Sequence, residues 1–521
     1  MTATNPRSVP VLIAGGGSVG LTAAVLLARH GVRSLVAERH PGTSILPRAF
    51  GSNVRTMEIF RVLGLEEAIQ AVEVDVGGLS LLLAMQTLDG PVLDSVPFQN
   101  DGDPEDPAWP SPTRVSFCAQ DVLDPILVQA VRQAGLAELR FGTEVSGLRP
   151  DPAGVTAELT DRRDGTRRVF RADYLIAADG ANSSIREALG IGMTGHDISA
   201  EVNVLFEADL SRALGAKRAI LYRLHNQWLP HGGLFRNVGG GRWTMFTRDT
   251  GDARPPRIAE IIRGCAGDPD LDVEILASGA WRKATMVADR FRAGRVFLAG
   301  DAAHRLTPAG GLGLNTGIQG AHNLAWKLAA VLRGWAGPDL LDTYEAEWRP
   351  AACRAVELSQ RIEATGHRAA SKMLGQMLGT AYQQGAFTRD GTCPPDVGDP
   401  VADYVPTARP GHRAPHYPLS SGGGRRSTID LFDRNFVALS PSERWCDAAR
   451  AAGAALGVPL SAHVIADPAW AAQYGIGPDG AVLVRPDGYV AWRKAHTCDD
   501  TPGELHQAID TVLRRDQAGR P

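Results

Sequence analysis

The stretch VLIAGGGSVGLTAAVLLARHGVRSLVAERH, residues 11–40, decides the fold. The apolar run from Val9 to Ala14 predicts a buried strand, because it is short and stops at three glycines. Leu21 to Arg29 continues with a helical repeat of apolar residues, and Gly31 stands where a helix commonly ends in a left-handed residue. Ser34 to Ala37 then predicts a second strand. This strand–helix–strand order favours an α/β fold with a parallel sheet.

The glycines of this stretch have the spacing of a phosphate-binding turn. Gly15, Gly17 and Gly20 fit GxGxxG, in which the first glycine permits the turn, the second admits a pyrophosphate and the third lets helix and strand pack closely. The N–H groups at the start of the following helix can bind phosphates. Glu38 ends the second strand and can accept a hydrogen bond from a ribose hydroxyl, whereas Arg39 is equally well explained as surface charge or as a ligand. The stretch predicts a dinucleotide site.

Two further acidic residues follow apolar strands beside a glycine. Asp179-Gly180 lies in YLIAADGANSSIRE, and Gly300-Asp301 lies in RVFLAGDAAHRLTPAGGLGLNTG. Ligands of parallel sheets bind at the carboxyl ends of strands, where both acids should lie. Asp301 precedes a glycine-rich loop, Pro308 to Gly313, and a predicted helix from Leu314. A carboxylate there can accept from ribityl hydroxyls, and the loop N–H groups can face the electron-rich edge of an isoalloxazine. The three motifs together favour FAD over NAD.

Composition excludes several other classes of protein. The 521 residues carry 54 Lys and Arg against 58 Asp and Glu, and this formal charge of −4 argues against a nucleic-acid binder. No run of about 18 apolar residues predicts a membrane span, and the N-terminus lacks the pattern of a secretory signal. Six cysteines without a CxxC predict reduced, inert thiols, no metal site and a cytoplasmic location.

The remaining pattern divides the chain into three parts. Strand signals dominate residues 75–115 and 185–285. A loop-rich linker is predicted at 385–425. A hairpin from Ala481 to Arg493 indicates a separate C-terminal domain. The predicted boundaries are 1–74, 113–184 and 286–395 for a cofactor-binding domain, 75–112 and 185–285 for a β-rich substrate domain, and 396–521 for the C-terminal domain.

These three motifs resemble the signatures of the class A FAD-dependent aromatic monooxygenases, the para-hydroxybenzoate hydroxylase group. Further short motifs resemble the aromatic polyketide hydroxylases within that group: Pro47-Arg48-Ala49, Thr56-Met57-Glu58, Gly300-Asp301-Ala302-Ala303-His304, Tyr474-Gly475-Ile476-Gly477 and Val484-Arg485-Pro486-Asp487-Gly488. The resemblance implies a Rossmann-like FAD-binding domain, an inserted β-sheet substrate domain and a thioredoxin-like C-terminal domain. Because the C-terminal domain lacks a CxxC motif, it is expected to provide packing or dimer contacts and not redox chemistry. The protein is expected to be a monomer or a homodimer.

The resemblance also implies roles for individual residues. Gly15, Gly17, Gly20 and Glu38 would hold the ADP half of FAD. Arg48 would meet the pyrophosphate and take part in catalysis, and Gln120 would reach the middle of the cofactor. Asp179 would belong to a signature shared by FAD and NAD(P)H binding, and Asp301 would bind the ribityl chain. The loop around the flavin ring would comprise Pro308, Gly311, Leu312, Gly313, Leu314 and Asn315.

The reaction that the resemblance implies is hydroxylation of a polycyclic aromatic, polyketide-type substrate. NAD(P)H would bind transiently and reduce FAD, and dioxygen would form a flavin C4a-hydroperoxide that transfers oxygen to the ring. Alternatives are a Baeyer–Villiger monooxygenase on the same scaffold and a protein that only binds FAD and a ligand. A plain NAD-dependent dehydrogenase would leave Gly300-Asp301 unexplained, and a flavin halogenase is disfavoured because WxWxIP is absent.

Substrate contacts are expected in the strand-rich region, because a large flat ligand needs aromatic and apolar walls. The alternative for each such residue is a place in the core of the sheet. Tyr222 is the preferred contact and a candidate catalytic residue, since the family places a tyrosine in this neighbourhood. His304 is favoured as a packing residue, and Arg236 has no predicted role. The candidates are Tyr222, Arg223, Phe235, Trp243 and Phe246, with His225 and Trp228 beside them.

Overall fold

The computed structural model of the chain describes residues 7–75, 79–100, 102–251, 254–419, 426–496 and 501–515. Its strands, in chain order, are β1 (Arg7–Ala14), β2 (Ser34–Glu38), β3 (Ser80–Met85), β4 (Asp94–Pro97), β5 (Ala137–Phe141), β6 (Thr143–Asp151), β7 (Gly154–Asp161), β8 (Arg167–Ala177), β9 (Met193–Glu207), β10 (Ala219–Leu224), β11 (Gly233–Gly239), β12 (Arg242–Arg248), β13 (Glu274–Ala288), β14 (Arg292–Ala293), β15 (Val296–Leu298), β16 (His304–Arg305), β17 (Pro418–Leu419), β18 (Arg426–Ser427), β19 (Phe436–Ser440), β20 (Leu460–Val464), β21 (Ala481–Val484) and β22 (Val490–Lys494).

The helices alternate with the strands at both ends of the chain. They are α1 (Ser18–Arg29), α2 (Val54–Val62), α3 (Glu66–Gln70), α4 (Gln120–Ala134), α5 (Ser184–Ala188), α6 (Ser211–Leu214), α7 (Pro255–Ala266), α8 (Leu312–Leu332), α9 (Asp342–Thr365), α10 (Leu374–Leu378), α11 (Glu443–Leu456), α12 (Pro468–Tyr474) and α13 (Thr501–Val512). None of the helices in the described ranges is both long and apolar enough to cross a bilayer.

The first sheet has the order β14-β15-β8-β1-β2-β5, with β7 pairing both β8 and β6. Strands β15, β8, β1, β2 and β5 run parallel. The last four residues of β1 are fully buried, as are the first four of β2, which is typical of a parallel sheet covered by helices. The predicted strand–helix–strand opening is confirmed, although α1 begins at Ser18, three residues before the predicted Leu21.

The second sheet has the order β16-β13-β9-β12-β11-β10-β3-β4. Side chains alternate between its two faces. On one face, which we call the helix-side face, the paired residues Tyr222, Phe235, Met245 and Val204 lie in one buried cluster with residues of α7. Strand signals alone predicted the region 185–285, whereas the structure also contains helices there, of which α7 is the longest.

The opposite face of this sheet is covered by loops of the first part of the chain, and we call it the loop-side face. It carries Leu205, Leu234, Phe246 and Arg236. Leu234 pairs with Phe246, and Arg236 lies two residues from Leu234 on the same strand. Leu205 pairs with Thr244, which is also the partner of Arg236. Leu205 and Leu234 pack in a cluster with Ala309, Leu312 and residues of α9 and α10. The loop-side face therefore meets the predicted flavin loop.

The C-terminal part forms a mixed sheet of order β20-β19-β21-β22, flanked by α11, α12 and α13. The predicted hairpin is confirmed as the antiparallel pair β21–β22. Between α10 and β17 the described chain has no helix or strand, whereas β17 lies within the stretch 385–425 that was predicted to be a linker. Two buried acids, Glu58 and Glu347, bind the arginines Arg413 and Arg485 across the boundary with the preceding part. The thioredoxin-like assignment of this part stays a prediction.

Candidate active site

The predicted cofactor motifs emerge side by side at one edge of the first sheet. Leu298, Ala177, Ala14 and Ala37 are paired in register on β15, β8, β1 and β2. Gly300-Asp301, Asp179, the glycine turn and Glu38 directly follow these positions. At about 4.8 Å per strand, the outer two of these strands lie about 14 Å apart. One extended dinucleotide can contact all four motifs.

The glycines of the turn fall into two groups. A Cβ atom on Gly15 would lie 2.2 Å from the Ala178 carbonyl oxygen, and one on Gly20 would lie 2.0 Å from the Gly15 carbonyl oxygen. These two positions need glycine for packing within the protein. A Cβ on Gly17 would meet no protein atom within 4 Å, and the φ of Gly17 is −82°. Neither packing nor backbone conformation explains a glycine at residue 17, whereas close approach of a ligand does.

Glu38 is fixed by backbone donors at the end of β2. Its Oε2 accepts from the N–H of Gly16 at 2.7 Å, and its Oε1 accepts from the N–H of His40 at 2.8 Å. Each carboxylate oxygen retains a second acceptor site. The carboxylate is therefore held at the sheet edge in an orientation that can accept from a hydroxyl. The neighbouring Arg39 is exposed.

Two helix N-termini point to the same edge. Helix α1 begins after Gly17 and α8 after Gly311, and neither has a side-chain cap or an acidic residue in its first turn. A Cβ on Gly317 of α8 would lie 2.5 Å from Val19 of α1, so the helices are in close contact. Gly313, like Gly17, would place a Cβ in open space. The paired N-termini offer N–H groups and partial positive charge to an anionic or electron-rich ligand.

Asp301 keeps contact with solvent although protein atoms surround it. The residue is exposed, yet desolvation by the surrounding protein raises its pKa, while Arg48 and Arg305 act in the opposite direction. We call the space bordered by Asp301, the glycine turn and the start of α8 the cleft. The predicted pyrophosphate ligand Arg48 and the predicted ribityl ligand Asp301 are thus brought within electrostatic reach of each other.

Asn315 and Gln120 use their amides to hold the cleft together. The Asn315 amide donates to the carbonyls of Gly311 and Gly51, at 2.7 and 3.0 Å. The Gln120 side chain accepts from the N–H of Ala49 at 3.4 Å, next to Arg48. Both residues lie at the predicted cofactor site, and both join the loops that would surround the cofactor. Pro308, Leu312 and Leu314 belong to the same segment.

Asp179 has one engaged and one unpaired oxygen. Its Oδ2 accepts from the N–H of Ile185 at 3.4 Å, whereas the buried Oδ1 has no partner among the described residues. Desolvation raises the pKa of Asp179. The nearby Arg186 donates to the carbonyls of Ala181 and Ala302, and so connects this turn with the turn of Asp301. The unpaired oxygen is suited to a ligand hydroxyl.

Three predicted substrate residues lie on the helix-side face, away from the flavin loop. The Tyr222 hydroxyl accepts from the N–H of Ala219 at 3.0 Å and donates to the carbonyl of Lys217 at 3.2 Å. Its ring lies 5.9 Å from that of Trp243, and both pack with Phe235 in the core covered by α7. The geometry does not support a substrate or catalytic role for these three side chains, because no surface of theirs reaches the cleft.

The other two candidates lie on the loop-side face. Arg223 is exposed, and Phe246 is half-buried beneath Arg236, whose guanidinium carbon lies 5.0 Å from the ring centre. The residues that the sequence analysis missed are the apolar side chains of this face and its roof. They could have been found only by knowing which face α7 covers. They are Leu205, Leu234, Ala277 and Met373, which pack in one cluster with Ala309 and Leu312 of the predicted flavin loop.

Two further buried polar residues border the site. His304 is fully buried, neither ring nitrogen has a partner among the described residues, and burial lowers its pKa to about 4. Asp124 of α4 accepts from the hydroxyl of Ser18, the first residue of α1, and burial raises its pKa to about 6. Asp124 was not predicted from the sequence, because no local motif marks it.

These residues fit FAD better than a shorter nucleotide. Gly17 and Gly313, whose added Cβ atoms would meet no protein atom, lie at the N-termini of α1 and α8. The unpaired oxygen of Asp179 follows β8, which lies between β1 and β15 in the sheet. The adenosine side would be held at Glu38 and the glycine turn. The flavin side would be held at Asp301 and the start of α8, which borders the apolar loop-side face.

Comparisons with known proteins agree with this assignment. Residues 8–359 match the FAD binding domain family, and residues 407–515 match the family of the aromatic-ring hydroxylase C-terminal region. A putative polyketide hydroxylase of Streptomyces halstedii is 40% identical, over 97% of both chains. The solved flavin-dependent monooxygenase PieE, in complex with FAD and substrate, is 36% identical with a TM-score of 0.91 and covers 98% of this chain and 100% of its own.

A second solved structure is similar over the same extent. The ternary complex of aklavinone-11 hydroxylase with FAD and aklavinone is 37% identical with a TM-score of 0.87, over 98% of this chain and 100% of the other. The matched families and the nearly full-length likeness establish the class and the cofactor. The chain belongs to the FAD-dependent class A aromatic monooxygenases, in the polyketide hydroxylase subgroup.

Proposed function

We propose that the protein is a monooxygenase that hydroxylates a polycyclic, polyketide-type aromatic substrate with NAD(P)H as reductant and dioxygen as oxidant. One observation carries the proposal. Ala309 and Leu312 of the flavin loop pack in the same apolar cluster as Leu205 and Leu234 of the second sheet. A cofactor ring held by this loop would therefore lie against an apolar wall, which suits a flat ligand.

The chain's own residues would act by binding, orienting and excluding water. The N-terminus of α1 would hold the pyrophosphate together with Arg48, and Glu38 and Asp301 would accept hydroxyl groups at the two ends of the cofactor. The N-terminus of α8 would stabilise negative charge on the flavin ring. Bound FAD supplies the two-electron redox chemistry, and the protein supplies position and a dry pocket.

The reductant and the arrangement of the chain are part of the same proposal. NAD(P)H would bind transiently, and the turn of Asp179 with Arg186 is the contact offered beside the flavin side of the cleft. We further propose the three-part boundaries given above, a cytoplasmic location and a monomeric or homodimeric state, each of which rests on the sequence alone.

The experiment is an NAD(P)H-oxidation screen of the purified FAD-loaded protein against polycyclic phenols and quinones. The expected result is substrate-stimulated oxidation with a product that has gained one oxygen atom on an aromatic carbon, identified by mass spectrometry and NMR. Asp301→Asn should weaken FAD binding at least tenfold, and exposed Asp164→Asn is the matched control. An ester formed from a ketone would instead indicate Baeyer–Villiger chemistry, and binding without oxidation would indicate a ligand-binding protein.

A further inference from the structure

Three buried polar side chains on the loop-side face have hydrogen-bonding atoms without a partner. The atoms are Nε of Arg236, Oγ1 of Thr244 and both amide atoms of Asn203, and the statement covers all described residues. The three residues are 8%, 0% and 4% exposed, respectively. Unpaired buried polar groups are rare, because each costs about 1–3 kcal/mol. Their occurrence together points to a ligand.

The three side chains are neighbours on adjacent strands. Arg236 of β11 pairs directly with Thr244 of β12, and Thr244 pairs with Leu205 of β9, two residues beyond Asn203. Side chains of directly paired residues have Cβ atoms about 5 Å apart, and diagonal neighbours about 7–8 Å. One group of ligand atoms can therefore contact all three. We call Asn203, Arg236 and Thr244 the polar patch.

The polar patch carries an uncompensated positive charge. Arg236 forms no ion pair with a described residue, and its Nη2 donates only to the neutral carbonyl of Pro47, at 3.2 Å. Asp121 acts on it at longer range, but that carboxylate pairs with Arg242 at 2.6 Å. Desolvation lowers the pKa of Arg236 to about 9. A buried guanidinium without a counter-ion strongly favours binding of an anion.

The surroundings of the charge select a flat anion. The guanidinium carbon lies 4.7 Å from the ring centre of Phe50 and 5.0 Å from that of Phe246. Leu234 and Leu205 adjoin it on the same face of the sheet. Aromatic and apolar walls of this kind suit an aromatic anion better than a phosphate or an aliphatic carboxylate.

The anions of the cofactor already have partners elsewhere. The pyrophosphate is assigned to α1 and Arg48, and the flavin ring to the start of α8, both at the edge of the first sheet. Arg236 lies on the second sheet, which supplies the apolar wall for the substrate. We propose that Arg236 is a specificity-determining residue that binds an ionised phenol oxygen of the aromatic substrate, with Thr244 and Asn203 as additional polar contacts to the same ligand. This inference rests on the proposed function.

The proposed contact has a chemical consequence for the substrate. Binding the phenolate releases the phenol proton to solvent, and the positive charge compensates the negative oxygen. A phenolate ring is more electron-rich than the neutral phenol, and therefore reacts more readily with an electrophilic oxygen. The site should select aromatic substrates with an acidic hydroxyl group over the corresponding ethers.

The test uses the FAD-loaded protein and a matched pair of probes, 2-hydroxyanthraquinone and 2-methoxyanthraquinone. At a pH where the free hydroxyl probe is mostly neutral, its visible spectrum reports whether the bound form is ionised. The expected result for the wild-type protein is a phenolate spectrum and a Kd at least tenfold lower for the phenol than for the ether.

The variants are Arg236→Met, Arg236→Lys and Thr244→Val. Arg236→Met should abolish the phenolate spectrum and raise the Kd for the phenol at least tenfold, with less than a twofold change for the ether. Arg236→Lys keeps the charge and should retain the preference for the phenol, which covers the case in which the methionine variant fails to fold. Arg212→Met, at a side chain 93% exposed on α6, is the matched control and should behave as wild type.

Four results would overturn the proposal. In the first, the wild-type protein does not prefer the phenol or binds neither probe. In the second, Arg236→Met loses affinity for both probes equally, and in the third, Arg236→Lys loses the preference for the phenol. In the fourth, an Arg236 variant loses FAD affinity but keeps its preference for the phenol, which would assign Arg236 to the cofactor. If phenolate binding is selective but no phenol stimulates NAD(P)H oxidation, the proposed function fails while the assignment of Arg236 stands.

Discussion

The Oδ1 atom of Asn315 accepts a hydrogen bond from the backbone N–H of Asn53 at 2.8 Å, across 262 residues of sequence. Asn53 in turn caps α2 by accepting from the N–H of Thr56 at 3.0 Å. Asn315 thus fixes the start of α8 against the segment that begins α2. The predicted flavin loop is held in place by this contact before any ligand binds.

Replacing Asn315 by leucine should weaken FAD binding through the loop. The variant leaves the Asn53 N–H and the Gly51 carbonyl without partners, at a cost of about 1–3 kcal/mol in stability. We expect the Kd for FAD, measured by flavin fluorescence, to rise at least tenfold. Asn315→Asp keeps the acceptor for Asn53 and should show a smaller loss.

The control for this change is Thr316→Val, one residue further along α8. The Thr316 hydroxyl donates only to the Leu312 carbonyl within the helix, at 2.8 Å, so FAD affinity should stay within about twofold. Equal FAD affinity in the wild type and in Asn315→Leu would show that the loop needs no such support.

Gly17 and Gly20 should respond to alanine in opposite ways. Since a Cβ at Gly17 meets no protein atom within 4 Å, Gly17→Ala should cost the apoprotein less than about 1 kcal/mol but reduce FAD affinity at least tenfold. A Cβ at Gly20 would lie 2.0 Å from the Gly15 carbonyl oxygen, so Gly20→Ala should destabilise the apoprotein itself by about 2 kcal/mol or more.

Urea unfolding of the FAD-free proteins, together with FAD titrations, separates these effects. An apoprotein destabilised equally by both changes would contradict the division between packing glycines and a ligand-facing glycine.

Local patterns were sufficient to predict that the cofactor motifs meet at one edge of the parallel sheet. β1, α1, β2 and the turns of Asp179 and Asp301 each carry their own signal, and parallel strands place their carboxyl ends together whatever the rest of the chain does. The substrate side depends on information that is not local. The sequence allows Tyr222 to face either the cleft or the core. Because α7 covers its face of the sheet, Tyr222 packs in the core.

The residues that join distant parts of the chain could not be predicted either, because their partners are not local in the sequence. Glu58 and Arg485 belong to motifs that supported the family resemblance, but their partners Arg413 and Glu347 are 355 and 138 residues away. Arg236 is unremarkable as a residue in an alternating strand. Its significance comes from Phe50, Phe246 and the lack of a described counter-ion, which the tertiary structure alone defines.

Asp124 predicts a pH-dependent component of stability. Burial raises its pKa to about 6 in the folded protein from 3.8, so the folded state holds this proton more tightly than the unfolded state. The stabilisation is complete below pH 3.8 and is lost as the pH rises through about 6. A shift of about 2 pKa units corresponds to about 3 kcal/mol.

Asp124→Asn removes this titration while keeping an acceptor for Ser18. The stability of the variant relative to wild type should therefore increase by up to about 3 kcal/mol between pH 4 and pH 7. Urea unfolding of the FAD-free proteins at several pH values measures the difference, and parallel pH profiles would exclude a raised pKa at this carboxyl group.

The buried pair Glu58–Arg413 should make the C-terminal part and the FAD-binding part unfold together. Burial alone would raise the pKa of the Glu58 carboxyl, but Arg413 and Arg55 hold this pKa at about 2. Arg413→Met would leave this charge with Arg55, at 2.9 Å, as its remaining ion-pair partner among the described residues. We expect a loss of about 3–5 kcal/mol in unfolding free energy, because one partner of a buried ion pair is removed.

Adding Glu58→Gln to Arg413→Met should recover part of this loss, since it removes the buried carboxylate that keeps only Arg55 as an ion-pair partner. The exposed pair Glu443–Arg450 is the control, and Arg450→Met should cost less than about 1 kcal/mol. Unfolding is followed by circular dichroism and, for the C-terminal part, by hydrogen exchange of the backbone amides of β19 and β21 at increasing urea. If the pair couples the two parts, Arg413→Met shifts both signals, and the transition of the C-terminal part moves to lower urea than the other. Two coincident transitions that are unchanged from wild type would show that the apolar contacts alone join the C-terminal part to the rest of the chain.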